Sequence, residues 1–322
     1  MSRNRPLAFA VTGLTRTFEA ETAVRDVSFV VPAGKVAVLV GPPGAGKTTI
    51  VRMLLGQLTP TSGTVNVGGP GSGVRAGHQA IGAILTPRGL HPARTARDQL
   101  RVFAAAAGVS NARADDLLTL TRLDAVAGQK IATLSPGMQS RLALAVALLG
   151  DPPLLVLDDP ALGLDAAETA WLNDYLRSHA QRGGTAVLTS RTLSAALPVA
   201  DELIVLDRGA VVYQGSPSRL RRSHPDRLLV KSSSQIALAT TLAAQGFTDA
   251  VMRPDGRLAV AEATLAQLEA AAAAARVQLT EISAEHVHPD QVLATLTRGH
   301  TTPVAHTPAS HYAAPAAYGM PR

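Results

Sequence analysis

The 322-residue chain predicts an α/β fold, with a mostly parallel sheet, an inserted helical subdomain and a small C-terminal α+β domain. Three observations predict it. Runs such as Val36-Ala37-Val38-Leu39-Val40 and Leu154-Leu155-Val156-Leu157 are apolar without alternation, as strands covered on both faces are. Segments with apolar residues at helical spacing stand between such runs. Near Ser223 the composition shifts and a second pattern of short strands and helices begins.

The elements follow in chain order. Leu7 to Val11, Val27 to Val31 and Val36 to Val40 read as strands, parted by turns rich in Gly, Pro and Asp. Directly after the third strand comes Gly41-Pro42-Pro43-Gly44-Ala45-Gly46-Lys47-Thr48-Thr49, which fits G-x-x-x-x-G-K-[ST] and runs into a helical segment through Leu55. Glycines let this backbone wrap so that its N–H groups converge on phosphate oxygens, and the new helix adds its positive end. Lys47 is then placed for the β- and γ-phosphates of a nucleotide and Thr48 for Mg²⁺. The core is therefore read as a P-loop NTPase core. Thr64 to Val67 and Ile81 to Leu85 are further strands, with a Gly/Pro loop from Gly68 to Gly73 between them.

From about residue 88 to 150 the pattern is helical, with Thr95–Gly108, Asn111–Leu120 and Gly137–Leu149 carrying the periodicity. Strands return at Leu154–Leu157, Ala186–Thr189 and Leu203–Leu206. Residues 1–222 are read as one domain. In 223–298, strands are expected at Arg227–Lys231, Phe247–Met252, Leu258–Val260 and Val277–Ile282, and helices at Ser233–Gln245, Ala263–Ala275 and Pro289–Thr297. Residues 299–322, rich in Pro, Ala and His without periodicity, are expected to be disordered.

Composition narrows the function classes. Hydrophobic residues make up 46% but aromatics only 3%, so Leu, Val, Ile and Ala must build the core. No cysteine is present, which excludes disulfides and Cys-based metal sites. The longest apolar run, Leu142 to Leu149, is about half of the ~20 residues a membrane helix needs. The start of the chain leads into a strand and not into a signal-peptide core. A cytoplasmic protein is the expectation. The net charge of +6 comes mostly from scattered arginines. It reads as solvated surface or as proximity to a membrane; basic residues do not interleave with aromatics as in single-strand binders, so no nucleic acid is expected. His286, His288, His300, His306 and His311 have no tight metal spacing.

Leu154–Leu157 ends in Asp158-Asp159-Pro160. In a parallel sheet the carboxyl ends of the strands face the ligand, so both carboxylates are delivered to the phosphate loop. One suits the Mg²⁺ shell, the other an attacking water. Taken alone, the pair is equally a strand closed by a helix cap.

Together with Leu134-Ser135-Pro136-Gly137-Met138-Gln139-Ser140 and Leu162-Gly163-Leu164-Asp165, these motifs resemble the ATP-binding subunit of ABC transporters over roughly residues 5 to 220. Ser135 is a natural N-cap and Pro136 suits the first helical turn, so this loop opens a helix with a positive end; by itself it is also an ordinary capped helix. The resemblance implies that Ser135, Gly137 and Met138 face the γ-phosphate held by a second ATP-binding subunit, and that Phe18 stacks on adenine. It also implies ATP and Mg²⁺ as cofactors, a homo- or heterodimer, and an integral membrane permease on whose inner face the chain sits. Arg88, His91, Arg94 and Arg97 lie where the family docks that permease, and they read equally as a solvated basic face.

Four positions depart from the family pattern. Pro136 replaces the first signature glycine. Thr86 stands where the family has a metal-linking Gln, Asp159 where it has a catalytic Glu, and Arg191 where it has a switch His. A carboxylate set back by one methylene costs on the order of a hundredfold in rate, and Arg cannot serve as a neutral acceptor. The expectation is an ATPase with intact binding and slowed hydrolysis, in which Lys47, Asp159 and Arg191 are catalytic and Thr48, Asp158 and Thr86 are metal-side residues. Residues 223 to 298 resemble the appendix of ATPases that serve ABC-2-type exporters, and read also as a small packing domain. Two functions stay open: the motor of an exporter, and a nucleotide-gated switch or resistance component with little hydrolysis of its own.

Overall fold

The computed structural model describes residues 7–68 and 81–298. The expected disordered tail, 299–322, and most of the Gly/Pro loop lie outside the described residues. In chain order the elements are β1 (Leu7–Phe18), β2 (Glu21–Pro32), β3 (Val36–Val40), α1 (Lys47–Leu54), β4 (Ser62–Val67), β5 (Ile81–Ile84), α2 (Ala96–Ala106), α3 (Asn111–Leu120), α4 (Pro136–Ala147), β6 (Leu154–Leu157), α5 (Ala166–Gln181), β7 (Thr185–Ser190), α6 (Leu193–Ala196), β8 (Glu202–Asp207) and β9 (Ala210–Gly215). After α7 (Pro217–Ser223) follow β10 (Arg227–Ser232), α8 (Gln235–Ala244), β11 (Val251–Met252), β12 (Leu258–Ala261), α9 (Leu265–Ala275), β13 (Leu279–Glu285) and α10 (Pro289–Arg298).

The central sheet has the order β5-β6-β7-β3-β8-β9, with every neighbouring pair parallel except β8 with β9. The expectation of a mostly parallel α/β sheet is met. Its inner strands β6, β7, β3 and β8 are covered on both faces, as their unbroken apolar runs require. In β3, Val36, Val38 and Val40 enter one core with the helical layer, while Ala37 and Leu39 enter the other with α1 and the β1–β2 hairpin. A three-stranded antiparallel sheet, β2-β1-β4, closes that second core.

β1 and β2 are each twelve residues long, well beyond the Leu7–Val11 and Val27–Val31 of the sequence reading. Register shifts between Val11 and Leu14 and again after Leu14 interrupt the alternation that would have signalled one long strand. Strand β9 and helix α5 were not delineated from sequence. β9 is an antiparallel edge whose side chains are mostly half-exposed, so its pattern is weak. α5 does carry a visible start signal: Asp165 accepts from the Glu168 N–H and Glu168 reaches back to the Asp165 N–H, a capping box.

The helical block opens each helix on a hydroxyl cap: Thr95, Ser110 and Ser135 accept from the N–H groups of Asp98, Arg113 and Met138. Leu100, Leu117, Leu118 and Leu142 from these helices are fully buried together.

The C-terminal strands form an antiparallel sheet of order β11-β12-β10-β13, and with α8 and α9 they make a β-α-β-β-α-β arrangement of ferredoxin-like type. Val230, Leu238, Leu258, Val260 and Leu268 fill a core of its own. Only Val251–Met252 of the expected Phe247–Met252 strand forms; Phe247 instead donates its N–H to the Leu242 carbonyl and ends α8. Helix α10 leaves this unit. Its Val292 and Leu293 are buried in the core beneath the central sheet, against α6, β8 and β9.

Candidate functional site

β3 ends at Val40 and the chain turns through Gly41 to Gly46 into α1. Gly46 is the N-cap with φ of 90°, and a Cβ there would meet the Ala23 carbonyl oxygen at 2.5 Å. Both facts require glycine at this turn. The loop borders a cleft of about 430 Å³. Its walls are Phe18, Glu21, Ala23, Pro43, Gly44, Ala45, Gly46, Lys47, Thr48, Thr49, Thr86, Asp158, Asp159, Thr189 and Arg191. The fold thus brings together residues from β1, the phosphate loop, β5, β6 and β7 at the carboxyl ends of parallel strands. Gly41 and Pro42 sit behind this wall, and their carbonyls accept from Lys47 Nζ at 2.6 and 2.8 Å.

The ammonium of Lys47 is therefore folded back onto its own loop. Burial pushes its pKa down, and the carboxylates of Asp158 and Asp159 push it up. Thr48 Oγ1 donates to Asp158 Oδ2 at 2.9 Å, and Thr189 Oγ1 donates to Asp158 Oδ1 at 2.7 Å. Asp158 is only 4% exposed, so both of its oxygens are held and aimed. A hydroxyl and a carboxylate side by side are hard oxygen donors of the kind Mg²⁺ takes when phosphates and waters complete its shell. Among the described residues no group of three or more His, Cys, Asp or Glu could hold a metal without such help.

Asp159 has a left-handed backbone, φ 48°, uncommon outside glycine though tolerated by Asp. Its N–H donates to Thr189 Oγ1 at 2.8 Å, and its Oδ2 forms an ion pair with Arg191 Nε at 2.9 Å. The carboxylate at the Glu position and the cation at the His position thus engage each other. Thr86 reaches the cleft wall, while its carbonyl accepts from Arg52 Nη2 at 3.2 Å.

Phe18 is 42% exposed at the cleft mouth, and the Arg16 guanidinium lies 4.6 Å from its ring centroid. This cation–π contact covers one face of the ring.

Ser135, Gly137 and Met138 do not line this cleft. Ser135 is exposed, and its Oγ accepts from the Met138 N–H at 3.2 Å, which satisfies that amide within the chain. Gly137 presses on the loop after the Asp pair: a Cβ there would meet the Gly163 carbonyl oxygen at 2.6 Å. Ser140 Oγ donates to the Leu162 carbonyl of the same loop.

Sequence reasoning missed two contributors. Thr189 joins both aspartates, and its signal was its place at the end of a buried strand two residues before Arg191. Arg88, read as part of a permease-docking face or of a solvated basic face, donates from Nη2 to the Leu162 carbonyl at 3.1 Å; burial lowers its pKa and Asp159 opposes that shift. Thr189→Val keeps the shape but leaves Asp158 Oδ1 and the Asp159 N–H each short of a partner. It is expected to lower stability by about 1–3 kcal/mol, read from urea unfolding. An unchanged midpoint would show that the hydroxyl is dispensable.

The sequence profile of the ABC transporter family matches residues 24–162. The chain is 36% identical over 222 residues to the Nod factor export ATP-binding protein I of Rhizobium leguminosarum bv. viciae, covering 67% of this chain and 71% of that one. To the protein of the same name from Bradyrhizobium diazoefficiens it is 37% identical over 224 residues, covering 68% and 73%. Among solved structures, an ATP-binding subunit of an ABC transporter aligns with a TM-score of 0.59 at 27% identity, over 67% of this chain and 93% of that one. A dimeric ATP-binding cassette in a post-hydrolysis state with ADP and Pi aligns with a TM-score of 0.58 at 23% identity, over 65% of this chain and 98% of that one, and shares the fold.

Proposed function

The chain belongs to the ABC transporter family, and from that premise we propose that it is the ATPase subunit that drives export through a separate membrane permease. The observation that carries this reading is the single cleft in which Lys47 and Thr48 of the phosphate loop meet Asp158, Asp159 and Arg191. ATP lies along the loop. Lys47 exchanges its loop carbonyls for β- and γ-phosphate oxygens, and Phe18 offers its uncovered ring face to adenine. Thr48, Asp158 and Thr86 hold the Mg²⁺ side of the site; the cation, when bound, neutralises phosphate charge. Asp159 takes the proton of the attacking water, and Arg191 turns from Asp159 to the γ-phosphate as charge develops there.

Ser135, Gly137 and Met138, placed outside their own cleft, serve the ATP of a second ATP-binding subunit. The dimer docks on the permease at the inner face of the membrane. Among the described residues no helix is long and apolar enough to cross a bilayer, in keeping with a separate membrane partner. The relatives, by their names, serve export of Nod factor, and export is the direction of transport proposed for this chain.

The ion pair between Asp159 and Arg191 favours a second reading, in which ATP gates assembly and turnover is marginal. Phosphate release from MgATP at high protein concentration, with ATP binding measured in parallel, separates the two. Turnover that depends on protein concentration supports the motor. Binding without turnover, alone and after addition of the permease, supports the switch and rejects the motor.

A further inference from the structure

Arg191 stands on a short bridge of backbone between β7 and α6, and that bridge is tied down from far along the chain. Asp290, in the first turn of α10, accepts from the Leu193 N–H at 2.8 Å and the Ser194 N–H at 3.3 Å through Oδ1. Its Oδ2 accepts from Ser194 Oγ at 2.7 Å. The carboxylate thus takes two amides at the start of α6, two and three residues after Arg191, in addition to the Thr192 cap on the Ala195 N–H. On the other side, Ser190 Oγ accepts from the Thr192 N–H at 3.3 Å. α10 itself is fixed: Val292 and Leu293 are 6% and 8% exposed in the main core, and the Asp290 N–H donates to His288 Nδ1.

We infer that Asp290 is a positioning residue for ATP hydrolysis, holding the backbone from which Arg191 exchanges Asp159 for the γ-phosphate. The inference rests on the role of Arg191 proposed above. The physical reason is economy of motion. With its own backbone and the next turn anchored, Arg191 need move only its side chain; with α6 released, the guanidinium samples many positions and the reactive one less often. Misplacement on the scale of an ångström costs up to about a hundredfold in rate. Phosphate contacts by Lys47 and Thr48 do not pass through α6, so ATP affinity is left alone.

The test is kcat and KM for ATP, by phosphate release, of Asp290→Ala and Asp290→Asn in the full chain, each in the natural and the Arg191→Ala backgrounds. Asp290→Ala is expected to lower kcat by about five- to tenfold with KM unchanged, and Asp290→Asn, which keeps an acceptor for both amides, to recover most of it. In the Arg191→Ala background Asp290→Ala should change kcat by less than about twofold, because the two act as one unit. The same fold-loss in both backgrounds would overturn the inference while leaving the reading of Arg191 intact. An Arg191→Ala chain with natural turnover would overturn that reading, and the inference with it. Should Asp290→Ala not fold, Ser194→Ala removes only the Oδ2 contact, and a kcat loss confined to the natural background is again the expected result.

Discussion

Lys47→Ala is expected to lower ATP turnover by more than about a hundredfold, the loss typical of removing one donor from a transition state in a preorganised site. Lys47 is half-buried between Gly41, Pro42 and two carboxylates, and it is the cation of the phosphate loop itself. Its ammonium already donates two hydrogen bonds to the loop, so their transfer to phosphate oxygens needs little reorganisation. Alanine leaves the glycine wrap and α1 in place, and urea unfolding should therefore stay near natural. Phosphate release of the variant checks this directly. Turnover within about threefold of the natural chain would mean that the loop does not hold the transferred phosphate.

The second large effect runs the other way. Asp159→Glu combined with Arg191→His is expected to raise kcat by about ten- to a hundredfold. Glutamate carries the carboxylate one methylene farther into the cleft, and histidine removes the guanidinium that now engages Asp159 Oδ2 at 2.9 Å. The imidazole can accept as well as donate, which Arg cannot. Single substitutions should give less than the pair, because each leaves one partner of the present ion pair facing a group shaped for another geometry. Unchanged turnover in the double variant would show that a different step limits the rate.

Much of this site was legible because its signals are local. The phosphate loop and the Asp pair each combine a backbone requirement with a fixed spacing. The strands that deliver them, β3 and β6, announce burial on both faces. What escaped reading depends on geometry between elements. Thr189 is one more polar residue in a buried strand until β7 lies beside β6 and its hydroxyl falls between two aspartates. The pairing of Asp159 with Arg191 accompanies a left-handed turn at Asp159 that no residue type there demands. The cover of Phe18 by Arg16 puts two residues of one strand, two positions apart, on the same face, and it escaped because the strand was read as ending at Val11. α10 was visible as a helix, but nothing in its own periodicity names the partner it packs against.

That partner has a consequence for how the molecule is made. Asp290 meets Leu193 across 97 positions of chain. At ordinary synthesis rates of about 5–20 residues per second, α6 emerges from the ribosome some five to twenty seconds before the carboxylate that ties it down. During that interval the phosphate loop and the Asp strand are already present, while the segment bearing Arg191 is held only by its neighbours. The nascent chain therefore presents its phosphate loop and Asp strand before the segment bearing Arg191 has gained the Asp290 tie.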